Sequence, residues 1–345
     1  IMTKQILTYN VRLVNSLLGR QNLLKEFLNQ DYGLIYENYQ ENFPVRKFFF
    51  DRTESVPHYL NIYNSSPIPD PSGFNLSFQQ IVENRAKEIL SRGKRVNVYW
   101  SGGVDSTMIL FALYTHATDK SQVNILGTYN SVIESGDMFD RLIKEKISHN
   151  ITAGFTFNHS SEELYITGAN GNDLFYIGQK PNERDSWMNF KNPTIPFVEL
   201  LDKPYQEVLQ ENNLEFLDPV IKKSPRTIET LQDLRWWVSF VFNWQTCKYT
   251  IQNTESFYDS DTFNDFQKWS MLNTDKPTLT GDFSDERWQI RKLIVEYSGD
   301  NKFSKNKENL TSVLRPFEED WLFLLNDGTN VYLNDLQSPT SVYYK

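Results

Sequence analysis

The sequence predicts an α/β fold: a doubly wound, mostly parallel sheet, preceded by a small N-terminal appendage and followed by a mainly helical C-terminal region. Three observations carry this. Short β-rich runs alternate with helical stretches between about residues 77 and 167, the pattern of βαβ units. From about residue 196 the apolar spacing becomes helical almost throughout. Pro67, Pro69, Pro71 and Gly73 fall close together and mark a boundary, because proline and glycine interrupt regular structure. The divisions expected are 1–72, 73–195 and 196–345.

The elements follow in order. Ser77 can cap a helix over 77–90, with Phe78, Ile81, Val82, Ala86 and Ile89 at helical spacing. Residues 95–100 alternate as a strand, with Val96, Val98 and Trp100 on one face. Gly102 and Gly103 then turn the chain into a helix over 105–117. Its run Met108, Ile109, Leu110, Phe111 is apolar all round, so that helix is expected to be buried. Next come a strand at 122–129, a helix at about 137–148, and strands at 151–157 and 164–167. Helices are expected at 196–212, 227–249, 261–272, 286–297 and 308–315. No repeat of fixed period and no low-complexity tract interrupts this order.

Composition removes several classes of function. The 345 residues include 24 Phe, 18 Tyr and 8 Trp, too much apolar surface for a disordered chain. One cysteine permits no disulfide framework and no cysteine-based zinc or iron–sulfur site. With 44 acidic against 35 basic residues, a main role in gripping phosphate backbones is disfavoured, so nucleic acid is an unlikely partner. No run approaches the ~18 apolar residues needed to span a membrane. The segment from Met2 to Thr8 has no signal-peptide pattern, and the expected setting is reducing and cytoplasmic. The four histidines are scattered without metal-ligand spacing.

The chemistry concentrates at Ser101, Gly102, Gly103, Val104, Asp105, Ser106 and Thr107, between a strand and a helix. Glycines let the backbone approach a ligand closely. The helix start offers free N–H groups and a positive dipole end, a natural anion site. Ser101, Ser106 and Thr107 add hydroxyls. Asp105 would repel a bare phosphate, and makes sense where a divalent cation bridges it to polyphosphate. The chain has no GxxxxGK[ST] and no GxGxxG, so those nucleotide-binding loops are not supported.

The segment Ser-Gly-Gly-x-Asp-Ser resembles the pyrophosphate-binding loop of the N-type ATP pyrophosphatases, the PP-loop superfamily with its adenine nucleotide alpha hydrolase-like fold. A second segment, Thr167, Gly168, Ala169, Asn170, Gly171, Asn172, Asp173, Leu174, Phe175, is similar to the loop that closes on pyrophosphate in asparagine synthetases. The resemblance covers about 77–178. It implies an ATP-dependent, AMP- and pyrophosphate-forming ligase that adenylates a carboxylate and passes the acyl group to ammonia or an amine. By that resemblance Ser101, Gly102, Gly103, Asp105, Ser106 and Thr107 would hold ATP and Mg²⁺, with Thr167, Gly168 and Asp173 on the far side. Asp105 and Asp173 are the implied metal ligands, and Gly127, at a strand end, is placed near adenine. Ala169 and Asn172 stand where the family carries Glu and Asp, which weakens transfer of its acyl-acceptor site.

A catalytic lysine is expected late in that family, and Lys305 and Lys307 are the candidates. Thr3 rather than Cys follows Met2, and the single Cys247 lies in an aromatic stretch, so a built-in glutaminase is not expected. Nitrogen would come from free ammonia, an amine, or a separate ammonia- or acyl-donor protein. Two alternatives stay open: a PP-loop pyrophosphatase modifying a tRNA or nucleobase precursor, and a nucleotide-binding protein of decayed activity.

Overall fold

The computed structural model describes residues 5–8, 51–55, 66–155, 160–175, 204–212, 217–244, 254–260, 262–273, 287–300, 322–325 and 330–332. The chain divides into two compact units. One comprises Ile1–Ile68, Asn172–Thr250 and Phe317–Lys345, the other Pro69–Gly171 and Ile251–Pro316.

The strands in chain order are β1 (Gln5–Thr8), β2 (Arg95–Trp100), β3 (Val123–Thr128), β4 (Ser148–Thr152), β5 (Glu163–Thr167), β6 (Glu255–Ser256), β7 (Leu322–Leu325) and β8 (Asn330–Tyr332). The helices are α1 (Phe78–Ser91), α2 (Val104–His116), α3 (Tyr129–Glu134), α4 (Gly171–Leu174), α5 (Tyr205–Asn212), α6 (Asp218–Ile221), α7 (Leu231–Val238), α8 (Asp265–Leu272) and α9 (Trp288–Ser298).

In the Pro69–Gly171 and Ile251–Pro316 unit, five parallel strands run in the order β4-β3-β2-β5-β6. The order reverses at β2, between β3 on one side and β5 on the other. β2 is buried from Val96 to Trp100, as a central parallel strand covered on both faces must be. α2 is buried from Ser106 through Leu113, matching its all-round apolar sequence. Full burial of Met108, Ile109 and Leu110 contributes about 1.5–3 kcal/mol each. α1 begins with the reciprocal pair expected of Ser77: its hydroxyl accepts from Gln80 N, and Gln80 accepts from Ser77 N.

A polar row crosses the sheet and pins its register. Asn97, Asn124 and Ser148 are direct strand neighbours. Ser148 donates to Asn124 (2.7 Å), Asn124 to Asn97 (2.7 Å), and Asn97 to Glu163 (2.9 Å). A one-residue slip would turn these groups into the apolar layer without partners.

Several boundaries differ from the sequence expectation. The helix expected over 137–148 is a π-helical turn, Phe139–Ile143, and the following strand begins at Ser148 rather than 151. β4 lies at the sheet edge with its first three residues exposed, so apolar alternation does not mark it. α3 arises from a Thr128–Ser131 cap that apolar spacing does not reveal. β6 is too short to leave a periodic signal, and the chain reaches it only after leaving this unit at Gly171. Helices are present between 204 and 300, and the expected helix at 308–315 lies outside the described residues.

In the other unit, β1 pairs antiparallel with β7, and β7 with β8. α7 is buried over its whole length and continues into a π-helical turn, Ser239–Asn243. Trp236 and Phe240 stack at 5.5 Å, and Phe240 meets Trp244 at 5.3 Å, so this aromatic run is core packing. Arg52 lies over Phe240 (5.0 Å) and Trp244 (5.4 Å) and donates to the carbonyls of Ser66 and Phe240. Cys247 lies outside the described residues.

Candidate functional site at the reversal of strand order

In an open parallel sheet, ligands bind beyond the carboxyl ends of the strands where the order reverses, because the loops there diverge and leave a crevice. Here those loops follow β2 and β5. They are the two segments singled out in the sequence, Ser101–Gly103 and Gly168–Asn170.

The first loop is held by its own hydroxyls. Ser101 N donates to Ser106 Oγ (3.1 Å), and the Ser101 and Ser106 hydroxyls lie 3.1 Å apart. Gly103 N donates to Ser101 Oγ (3.2 Å), and Ser106 Oγ donates to the Gly103 carbonyl (3.3 Å). Gly102 has φ +81°, and a Cβ there would lie 2.2 Å from the Ser131 carbonyl oxygen. Both conditions exclude a larger residue. Gly103 is the N-cap of α2 and brings no side-chain acceptor, so the first-turn N–H groups remain available to an anion.

The second loop packs directly on the first. A Cβ on Gly168 would come 3.3 Å from Asp105 Cβ and 3.6 Å from Ser106 N. A Cβ on Gly171 would stand 2.6 Å from Asp105 Oδ1 and 2.8 Å from the Tyr258 ring, so only glycine fits. Thr167 is buried, its hydroxyl accepting from Ala169 N (3.4 Å) and its carbonyl from Phe257 N (2.9 Å). Asn170 has φ +70°. The left-handed backbone, which asparagine tolerates better than most residues, turns the loop at this point.

Asp105 is the focus of the electrostatics. Its carboxylate pairs with Arg287 Nη1, and Tyr258 donates to its Oδ1 at 3.4 Å. Burial, reinforced by the Asp105 charge, holds the Tyr258 hydroxyl well above the usual phenol range, although Arg287 opposes this. Tyr258 therefore stays a donor. Neither Tyr258 nor Arg287 carries a local motif. Tyr258 follows the two-residue β6, and Arg287 precedes an ordinary amphipathic helix, α9.

The structure thus brings together Ser101, Gly102, Gly103, Asp105, Ser106, Thr167 and Gly168. Thr107 is fully buried, and its hydroxyl accepts from the Trp100 indole (3.0 Å). Gly127 sits at the end of β3, where a Cβ would press on Ile151 at 2.8 Å. Asp173 belongs to the other unit, where it is buried and accepts from Ser239 Oγ at 2.6 Å. Lys305 and Lys307 lie outside the described residues. Among the described residues, no group of three or more His, Cys, Asp and Glu side chains could hold a metal ion. A divalent cation on Asp105 would need oxygens from its ligand as well, which fits a metal–polyphosphate better than a free ion.

Fold and site together define an α/β protein with paired loops at the reversal of a parallel sheet. No family model and no curated protein matches this chain. Among the described residues, no helix is long and apolar enough to cross a membrane.

Proposed function

We propose that the chain is an ATP- and Mg²⁺-dependent amide-forming ligase of the PP-loop type, similar to the synthetase part of asparagine synthetases. It adenylates a small-molecule carboxylate, releases pyrophosphate, and passes the acyl group to ammonia or an amine. The observation that carries this is the packing of Gly168 and Gly171 on Asp105 and Ser106 at the start of α2, where no cap side chain bonds the first-turn N–H groups. That geometry suits an anion gripped between two loops, with one carboxylate reserved for its counter-ion.

In this reading the Ser101 and Ser106 hydroxyls and the first N–H groups of α2 bind and orient the phosphates. Asp105 would hold the metal together with oxygens of the nucleotide, and Tyr258 fixes its carboxylate. A magnesium ion held there would supply charge neutralisation for the pyrophosphate leaving group. Arg287 supplies a permanent positive charge beside the same group and can pass from the Asp105 carboxylate to a phosphate oxygen. It is the described residue that fills the cationic role expected of a late lysine.

The test is pyrophosphate release from ATP by the full chain over a panel of carboxylates, with ammonia or amines as acceptors. Carboxylate-dependent release that falls roughly 100-fold or more in Asp105→Ala is expected. Unchanged release in that variant overturns the assignment. Tight, salt-sensitive RNA binding without carboxylate dependence would move the reading to an RNA-modifying pyrophosphatase.

A further inference from the structure

α1 presents an apolar face to the parallel-sheet unit, yet one of its buried positions is Arg85, with a fully buried side chain. A guanidinium taken out of water is costly unless its donors are satisfied. Those of Arg85 are satisfied on the far edge of the sheet. Nε donates to the Phe257 carbonyl and Nη2 to the Ser256 carbonyl, both at 3.0 Å. The same guanidinium pairs with Glu255 and Glu88 and lies over the Phe263 ring at 5.2 Å. It therefore grips three consecutive residues, 255 to 257. Their pairing with β5 is short, Ile166 with Glu255 and Thr167 with Ser256, and is joined by a single bridge from Ser256 to Asp259.

The gripped segment leads straight to the site. Ser256 Oγ donates to the Ala169 carbonyl in the second loop (2.5 Å) and accepts from Tyr258 N (3.1 Å). Tyr258 then donates to Asp105 Oδ1. A hydrogen-bonded path thus runs from α1, through the edge strand, to the carboxylate of the first loop. The planar fork of arginine presents Nε and Nη2 to the two adjacent carbonyls in a fixed geometry, with Nη1 left for the Glu88 carboxylate. An apolar residue would fill the space, take this donor from the Phe257 carbonyl and leave the Ser256 carbonyl only the longer bond from Asp259 N (3.4 Å).

We propose that Arg85 is a positioning residue for the nucleotide site, which through the β6 backbone sets Tyr258 against Asp105 and so tunes metal–ATP binding there. The inference rests on the reading of Asp105 as the ligand of Mg²⁺.

A double-mutant cycle tests it, using the full chain as wild type, Arg85→Gln, Tyr258→Phe and the double variant. Mg²⁺-dependent ATP binding is measured by calorimetry, and urea midpoints are measured separately. Arg85→Gln is expected to weaken binding roughly 10–100-fold, the usual cost of removing an outer support of a metal ligand. In the Tyr258→Phe background the same change is expected to cost no more than about twofold, within the scatter of independent sites. Equal losses in both backgrounds, or a folded Arg85→Gln protein that binds as wild type does, overturn the proposal. Should Arg85→Gln not fold, Ser256→Ala, which breaks the same path one step later, takes its place in the cycle with the same two outcomes. Wild-type protein that binds no ATP in the presence of Mg²⁺ sinks the ligase reading and this inference together. Wild-type binding with an indifferent Arg85 sinks only the inference.

Discussion

Asp105 and Asp173 occupy matching places in the chain: each lies in the first turn of a helix that follows a glycine-containing loop at the end of a parallel strand. Their surroundings are opposite. Asp105 is partly exposed, paired with Arg287 and touched by Tyr258. Asp173 is buried in the other unit and accepts from the Ser239 hydroxyl. A partly exposed carboxylate beside a guanidinium can exchange one cation for another at modest cost. A carboxylate as deeply buried as Asp173 offers no such approach, because an incoming cation would have to shed its water to reach it. Equivalent sequence settings thus yield one carboxylate suited to ligand chemistry and one suited to holding packed elements together.

The sharpest way to break this contrast is to remove each carboxylate in turn. Asp105→Ala is expected to cost roughly 100-fold or more in Mg²⁺-dependent ATP binding, since on the proposed reading the site loses the side chain that would hold the metal. Little change in that affinity would erase the difference between the two residues.

Gly171→Ala probes the close approach on the Asp105 side. The added methyl would stand 2.6 Å from Asp105 Oδ1, so carboxylate or loop must shift. A displacement of that order is expected to lower ATP affinity by up to about 100-fold. Isothermal titration against wild type decides it, and unaltered affinity would mean that the two loops can separate freely.

Asp173→Ala is expected to lower stability by about 1–3 kcal/mol in urea, because the Ser239 hydroxyl loses its buried acceptor. Its ATP affinity should stay near the wild-type value. Loss of ATP binding with an unchanged urea midpoint would instead give Asp173 the metal role that the family resemblance implied.

The smallest effect concerns Tyr258. Burial, and then the charge of Asp105, raises its hydroxyl above the ordinary value of 10.0. In the folded chain the proton is retained after the unfolded chain has released it. The corresponding stability is whole below about pH 10 and declines as pH rises above it, by at most about 1.4 kcal/mol per pH unit. Urea titrations from pH 9 upward should show a shallower alkaline decline in Tyr258→Phe. An identical slope would mean that this hydroxyl is not desolvated in the fold.

Much of the central sheet was legible in the sequence because its signals are local. Val96, Val98 and Trp100 announce a strand, and the apolar run at Met108 to Phe111 announces a buried helix. Ser77 announces a cap that forms as expected. The first loop was legible for the same reason, with glycines, hydroxyls and a carboxylate contiguous in the chain. The edge strands were not. β4 is polar and exposed, and β6 has two residues, so neither shows a period from which to recognise it.

What the sequence alone determined is the set of contacts between near neighbours: the β2–loop–α2 unit, its glycine-capped helix start, and the buried character of α2. These depend on residues a few positions apart, whose backbone preferences and apolar spacing act locally. Only the tertiary structure decided that Gly171 lies against Asp105, that Tyr258 and Arg287 converge on the same carboxylate, and that Arg85 reaches the carbonyls of 256 and 257. Those partners are separated by as many as 182 residues. Neither charge, nor size, nor spacing in the chain marks them as neighbours until the parallel strands are laid in order and the edge strand returns.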